Sequence, residues 1–232
     1  MALVAYGGGI IQMSGSIAGN TFAHNKSGNY VRARTKPVNP NTARQQTIRA
    51  AIAELTVHWA HTLTANQRTA WNLYADNVNM KNRLGTIIHL SGFNHYIRSN
   101  TTLWALEKGR KDNGPVVFEL PTQDLTLAVT ASEAAQQLSI AFDITKDWAA
   151  EDGAYLWLFQ GQPQNPQRNF FAGPWRYVGF VQALDPGPVV SPVVVNVSFP
   201  IGELQRQWIY ARIIRADGRL SEAFRADCFC AA

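Results

Sequence analysis

The sequence predicts an α+β protein in three parts: an extended basic arm over residues 1–42, a short helical segment over 43–114 and a seven-stranded β-sandwich over 115–232. Three observations lead there. No acidic side chain occurs before Glu54, and the stretch ahead of it is rich in glycine, asparagine and threonine. Apolar residues then recur at helical spacing. Beyond Gly114-Pro115 the apolar period shortens to two, the period of a strand with one buried face.

The arm has too few large apolar residues to build a core, so alone it cannot offset the entropy of being ordered. Residues 18–25 and 28–36 read as two short strands around the turn Asn25-Lys26-Ser27-Gly28. In the second, Tyr30, Arg32 and Arg34 share one face and Lys36 continues it, while Val31, Ala33 and Thr35 share the other. Pro37 and Pro40 then hold the path extended. The spacing of rings and cations offers two readings. It is a stacking platform for single-stranded nucleic acid, or its guanidinium groups pair with carboxylates of a neighbouring subunit. One aromatic ring makes a poor stacking track, which favours the second.

In the helical segment Asn41 or Thr42 can cap a first helix with Ile48, Ile52, Leu55 and Trp59 at helical spacing. Thr64-Ala-Asn-Gln67 is a capping-box pattern. It opens a second helix whose apolar face is Trp71, Tyr74, Ala75 and Val78. Gly85 interrupts. Ser91 caps a third helix with Phe93, Tyr96, Ile97, Asn100 and Trp104 along one side.

The C-terminal part reads as strands over 125–130, 138–144, 154–160, 177–181, 193–199, 208–215 and 220–226. Asp217-Gly218 marks the clearest hairpin. Seven short strands in about a hundred residues is the pattern of an immunoglobulin- or fibronectin-III-like sandwich. No Cys…Trp…Cys spacing accompanies it, which disfavours a true immunoglobulin domain. The connection over 160–176 carries three prolines, several amides and Phe170, Phe171 and Trp175. It suits a carbohydrate-binding face. It equally suits a pinned loop whose Phe171 and Trp175 fold back on the sandwich or anchor a neighbour, and the second reading is favoured.

Charge is uneven. Residues 1–114 hold 13 Lys/Arg against 4 Asp/Glu, a net +9, and residues 115–232 hold 8 against 12, a net −4. The N-terminal half is therefore expected to face something acidic. No run approaches the length of a membrane span, and the first residues lack the pattern of a secretory signal. Cys228 and Cys230, two residues apart on one strand, point to one face and are poorly spaced to bridge each other. As small unpaired thiols they fit folding in a reducing cytoplasm.

The residues give no catalytic constellation. His58 and His61 sit one helical turn apart, but no third ligand follows, and Glu54 is the one nearby acid. There is neither a G-x-S-x-G elbow nor a phosphate-binding loop. Asp147, Glu151 and Asp152 read as a solvated turn, and Asp143, Asp152 and Asp185 lack a calcium-loop pattern. No cofactor, no metal and no enzymatic activity are expected.

The run Gly15-Ser-x-x-Gly19-Asn20…Asn25-x-x-Gly28-x-Tyr30-Val-Arg32-x-Arg34…Asn39-Pro-Asn-Thr42, with Leu63-Thr-x-x-Gln67-Arg-x-Ala-Trp71 and Ser91-Gly-Phe-Asn-x-Tyr96 after it, resembles the N-terminal region of bacteriophage and prophage virion structural proteins. It covers about ninety residues, under half of the chain. The resemblance implies a virion setting, with other virion proteins and further copies of the chain as partners, and transfers no residue role. The expected function is a non-enzymatic capsid-decoration, minor capsid, neck or tail protein. A glycan-binding adhesion module and a nucleic-acid-binding protein are the alternatives. The candidate partner-binding residues are Tyr30, Arg32, Arg34, Lys36, Phe171 and Trp175.

Overall fold

The computed structural model describes residues 2–25, 28–82, 84–184 and 187–232. The chain is a mixed α+β protein, mostly strands, with three α-helices among the described residues. It divides into two compact units, Met1–Ile97 and Arg98–Ala232. The division falls inside the third helix, earlier than the change of period at Gly114-Pro115.

In the first unit, β1 (Ala2–Leu3), β2 (Gly15–Ile17), β3 (Asn20–Asn25) and β4 (Gly28–Ala33) form an antiparallel sheet in the order β1-β4-β3-β2. The sequence reading found two of these strands. It missed β1, which is too short to show a period, and β2, which is joined to β3 by a turn at Ala18 (φ 50°). No described residue before Ala51 is buried. The backbone satisfies itself through the ladder, and the small polar side chains leave nothing to pack.

Helix α1 (Ala43–His61) starts on Thr42, whose side chain accepts from the Gln45 backbone N–H while Gln45 Oε1 accepts from the Thr42 N–H, both at 3.3 Å. Helix α2 (Ala65–Asn77) repeats the device with Thr64 and Gln67. Each box satisfies end-of-helix N–H groups that water would otherwise take. The α2 face Trp71, Tyr74, Ala75 and Val78 is fully buried. The expected α1 stripe is not: Ala51 and Leu55 are buried, whereas Ile48 is half-buried and Ile52 is 41% exposed.

A two-stranded ribbon follows, β5 (Met80–Lys81) with β6 (Ile87–Ile88). Helix α3 (Gly92–Ala105) then begins against α2. A Cβ at Gly92 would lie 2.6 Å from the Asn72 backbone nitrogen, so only glycine permits this approach. Tyr96 packs edge-on to Trp71 at 5.7 Å and against Trp59 at 5.4 Å.

The second unit holds the end of α3 and one seven-stranded sheet. Its strands are β7 (Ala128–Ser132), β8 (Gln137–Ala141), β9 (Tyr155–Gly161), β10 (Trp175–Gln182), β11 (Val193–Asn196), β12 (Arg206–Ile214) and β13 (Phe224–Ala231). A 3-10 turn over Asp147–Ala150 lies between β8 and β9. The order is β10-β9-β12-β13-β7-β8-β11. All pairings are antiparallel except β13 with β7, which run parallel at Cys230↔Ala131 and Ala231↔Ser132.

The two edges nearly meet. Ser198 Oγ donates to the Tyr177 carbonyl at 2.6 Å, and a methyl at Gly179 would touch Val195 Cγ1 at 3.5 Å. Leu138, Ile140, Leu156, Leu158, Ile209, Ala211 and Ile213 fill the inside, each at most 1% exposed. This is a single, nearly closed sheet where the sequence reading expected two sheets face to face.

The Asp217-Gly218 turn is present, with Gly218 at φ 90° and its N–H donating to the Arg215 carbonyl at 2.9 Å. The strand expected over 220–226 instead starts at Phe224. The Leu220 and Ser221 carbonyls accept from Arg98 at 2.7 and 2.8 Å, and the segment keeps an isolated bridge, Leu220 with Ile214, in place of a continuous strand.

Candidate functional site

The basic strand comes first in the chain. Register places Tyr30 and Arg32 of β4 on one sheet face with Leu3, Thr21 and Ala23, across from Val31 and Phe22 on the other. Tyr30 is half-buried, while Arg32, Arg34 and Lys36 are exposed. Arg34 is just past β4, its N–H donating to the Gly19 carbonyl at 2.8 Å, and Lys36 lies beyond any strand. The structure thus aligns the first two of these residues as the alternation requires. It leaves the three basic side chains open to solvent. Lys26 and Ser27, the centre of the expected turn, are outside the described residues.

The 160–176 segment is more tightly held. Gln164 pairs with Arg206 through backbone bonds of 3.0 and 2.9 Å. The Arg206 guanidinium donates to the Arg168 carbonyl and Asn169 Oδ1, both at 2.8 Å, and to Asp227 at 2.7 Å. Returning along the sheet, the segment lays Phe171 over Gly161, where any Cβ would meet the Phe171 ring at 2.5 Å. Phe171 is 1% exposed, so its ring is spent inside the chain rather than offered to a partner. Trp175, on β10, is half-buried, edge-on to Phe171 at 5.0 Å and tilted against Tyr210 at 5.4 Å.

Trp175 belongs to a larger surface that the sequence reading missed. The inward positions of β9 and β12 are Leu156, Leu158, Ile209, Ala211 and Ile213, and the outward ones between them are Trp157, Phe159, Tyr210 and Arg212. Register sets Phe159 opposite both Tyr210 and Tyr177, and Trp157 opposite Arg212. Trp157, Phe159, Trp175, Tyr210 and Arg212 line a trough of about 380 Å³. The signal was available: outward strand positions that carry large rings instead of polar residues are unusual for a solvated face. Burial raises the Tyr177 pKa.

Elsewhere the chemistry is structural. His58 Nδ1 and the Tyr96 hydroxyl are hydrogen-bonded at 3.0 Å inside the aromatic cluster of the first unit. Among the described residues no three His, Cys, Asp or Glu side chains are grouped to hold a metal. Asp147 lies 3.9 Å from the Arg215 guanidinium, and Glu151 is ion-paired with the same group. Hydrogen bonds from Thr145 hold the Asp143 carboxyl below its ordinary pKa. Asp185 is outside the described residues. Burial pushes the Cys228 thiol up to about 11, and Cys230 is raised likewise, so neither is poised to react as a thiolate. Among the described residues no helix is long and apolar enough to cross a membrane.

No protein-family model and no curated protein matches the chain. Among solved structures it is similar to the crystal structure of a family 76 glycoside hydrolase from a bovine Bacteroides thetaiotaomicron strain. The identity is 13%, the TM-score 0.30, and the match covers 47% of this chain and 20% of that one. The chain therefore spans about a fifth of that neighbour's length, and a likeness of this size carries no argument about fold or chemistry.

Proposed function

We propose that this chain is a non-enzymatic structural protein of a bacteriophage particle, a capsid-decoration, minor capsid, neck or tail component. It docks on neighbouring subunits, copies of itself among them, through its N-terminal strands and α1. One observation carries the reading: residues 2–33 are laddered into four strands, yet none of the described residues there is buried. A sheet with no buried face gains little from its own packing and is stabilised by what covers it. Exposed Ile17, Ile52 and Val57 supply apolar area, and the absence of acids before Glu54 gives the surface one sign of charge. The resemblance of this region to virion proteins supplies the particle setting.

We also read the large sheet as fibronectin-III-like. Split at its parallel join, it becomes β7-β8-β11 and β10-β9-β12-β13, three and four strands, with the fourth strand β10 beside β9 where the constant-type immunoglobulin division places it beside the fifth. Such a module suits a projecting or knitting role.

The test is incorporation. Arg32→Glu with Arg34→Glu should leave unfolding of the isolated protein within about 0.5 kcal/mol of the parent, since both groups are exposed. The same pair should abolish assembly with partner subunits. Normal incorporation of the doubly reversed protein sinks the docking reading. Tight single-stranded DNA binding that survives moderate salt replaces it with a nucleic-acid role.

A further inference from the structure

The trough on the outward face of β9, β10 and β12 plays no part in docking by the N-terminal strands, and it has the makings of a ligand site. Its walls are rings set at steep angles to one another. Trp157 and Phe159 meet at 64° and Phe159 and Tyr210 at 77°. One end is closed by Trp175, which is backed by the buried Phe171. The other end carries Arg212, whose Nε donates to the Tyr210 hydroxyl at 2.5 Å and whose guanidinium lies 5.5 Å from that ring's centre.

The charges on this face are unequal in what they can still do. Arg206 is paired with Asp227 at 2.7 Å. Arg225 donates to the Phe171 carbonyl at 3.2 Å and covers the Trp175 ring at 5.3 Å. Arg212 lines the trough; among the described residues no carboxylate pairs with it, and its hydrogen bond to Tyr210 uses Nε rather than the terminal nitrogens. The site therefore combines apolar ring walls with one uncompensated, pre-oriented cation. Its volume is at the small end for ligand pockets.

We propose that this trough binds an acidic saccharide, one pyranose bearing a single carboxylate. The sugar's C–H faces pack on Trp157, Trp175 and Tyr210, and the carboxylate takes a bidentate pair from Arg212. A pyranose presents C–H groups in several directions, which matches rings that face several ways. A flat base needs a parallel platform and successive phosphates need a row of cations, and here the neighbouring arginines are already engaged. The Arg206 clasp and the Phe171–Gly161 contact fix the wall before the ligand arrives, which lowers the ordering cost of binding.

The experiment is a titration of the full 15N-labelled chain, read at the tryptophan indole N–H signals, with glucuronic acid, N-acetylneuraminic acid, glucose and oligothymidylate as probes. An acidic sugar should give saturable shifts at Trp157 and Trp175 with a Kd of about a millimolar, as befits a single sugar ring. Glucose should bind at least about tenfold more weakly, and Arg212→Gln should cost the acidic sugar about tenfold or more while the remaining amide spectrum is unchanged. Should Arg212→Gln perturb the fold, Tyr210→Phe, which removes only the hydroxyl that orients Arg212, should still weaken binding several-fold. Equal affinity for glucose and the acids, no effect of either variant, or no saturable shift at about 50 mM overturns the proposal. So does oligothymidylate binding at the same indoles that the sugars cannot displace.

Discussion

The sheet over residues 2–33 and the sheet over residues 128–231 are built from similar ladders and similar turn chemistry, and they differ in what stands on the strands. In the first, Asn20, Thr21, Ala23, Asn29 and Gly28 are too small or too polar to fill a core. In the second, β12 alternates Ile209, Ala211 and Ile213 inward with Trp208, Tyr210 and Arg212 outward. Backbone hydrogen bonding contributes about equally to both per residue, and its net worth is modest because water competes for the same groups. Burial is what separates them. A sheet without burial needs a partner, and a sheet with it can carry surface features of its own.

The largest expected effect tests that contrast directly. Leu158 is 0% exposed in the second sheet, and Leu158→Ala should destabilise by about 3 kcal/mol in chemical denaturation. Phe22→Ala, on the half-buried β3 of the first sheet, should move the same transition by less than about 0.5 kcal/mol. Comparable losses from the two would mean that the N-terminal sheet is self-supporting, and the comparison would break.

A somewhat smaller effect comes from a polar group inside the second sheet. Gln160 is 0% exposed. Its Oε1 accepts from the Ser198 and Phe199 N–H groups at 2.7 and 2.9 Å, and its amide nitrogen donates to the Phe199 carbonyl at 3.0 Å. It ties β9 to the segment after β11, near where the sheet edges approach. Gln160→Leu keeps much of the volume and orphans those backbone groups, for a loss of about 2 kcal/mol. Differential hydrogen exchange should locate the loosening at residues 193–199, and uniform loss across the sheet would contradict the assignment.

The smallest effect is a pH dependence. The Cys228 pKa in the folded protein is about 11, raised from 9.0, chiefly by burial. The folded state therefore holds the proton longer than the unfolded one. The contribution is complete below about pH 9 and is lost as pH rises toward and through 11. Between pH 8 and pH 10.5 the parent should lose stability more steeply than Cys228→Ala. Parallel slopes would show that the thiol is no better desolvated than one on an open strand.

Much of this was legible in the residues. Thr42/Gln45 and Thr64/Gln67 declare their helices because a capping box is local chemistry, complete within four positions. The α2 face was legible for the same reason of short range. The α1 stripe was not, because spacing marks which residues could be buried and only tertiary contacts decide which are. The start of β13 slipped to Phe224 because Arg98, over a hundred residues away, takes the Leu220 and Ser221 carbonyls. Phe171 and Trp175 were singled out as rings in a loop. Their companions Trp157, Phe159, Tyr210 and Arg212 were not, since an aromatic residue in a strand looks like core until the register shows which way it faces.

The parallel join between β13 and β7 has a kinetic consequence. Two residue pairs, Cys230↔Ala131 and Ala231↔Ser132, join the two halves of the large sheet across about a hundred residues of chain. Local hairpins such as β7–β8 and the Asp217-Gly218 turn can form early, but this closure must wait for a long loop to be drawn together. Until then β7 and β13 each present an unpaired edge to other chains. Yield of the folded protein should therefore fall with concentration during refolding more sharply than its native stability suggests. Any assembly built from this chain would draw on a pool that matures slowly and is most vulnerable to self-association before the sheet has closed.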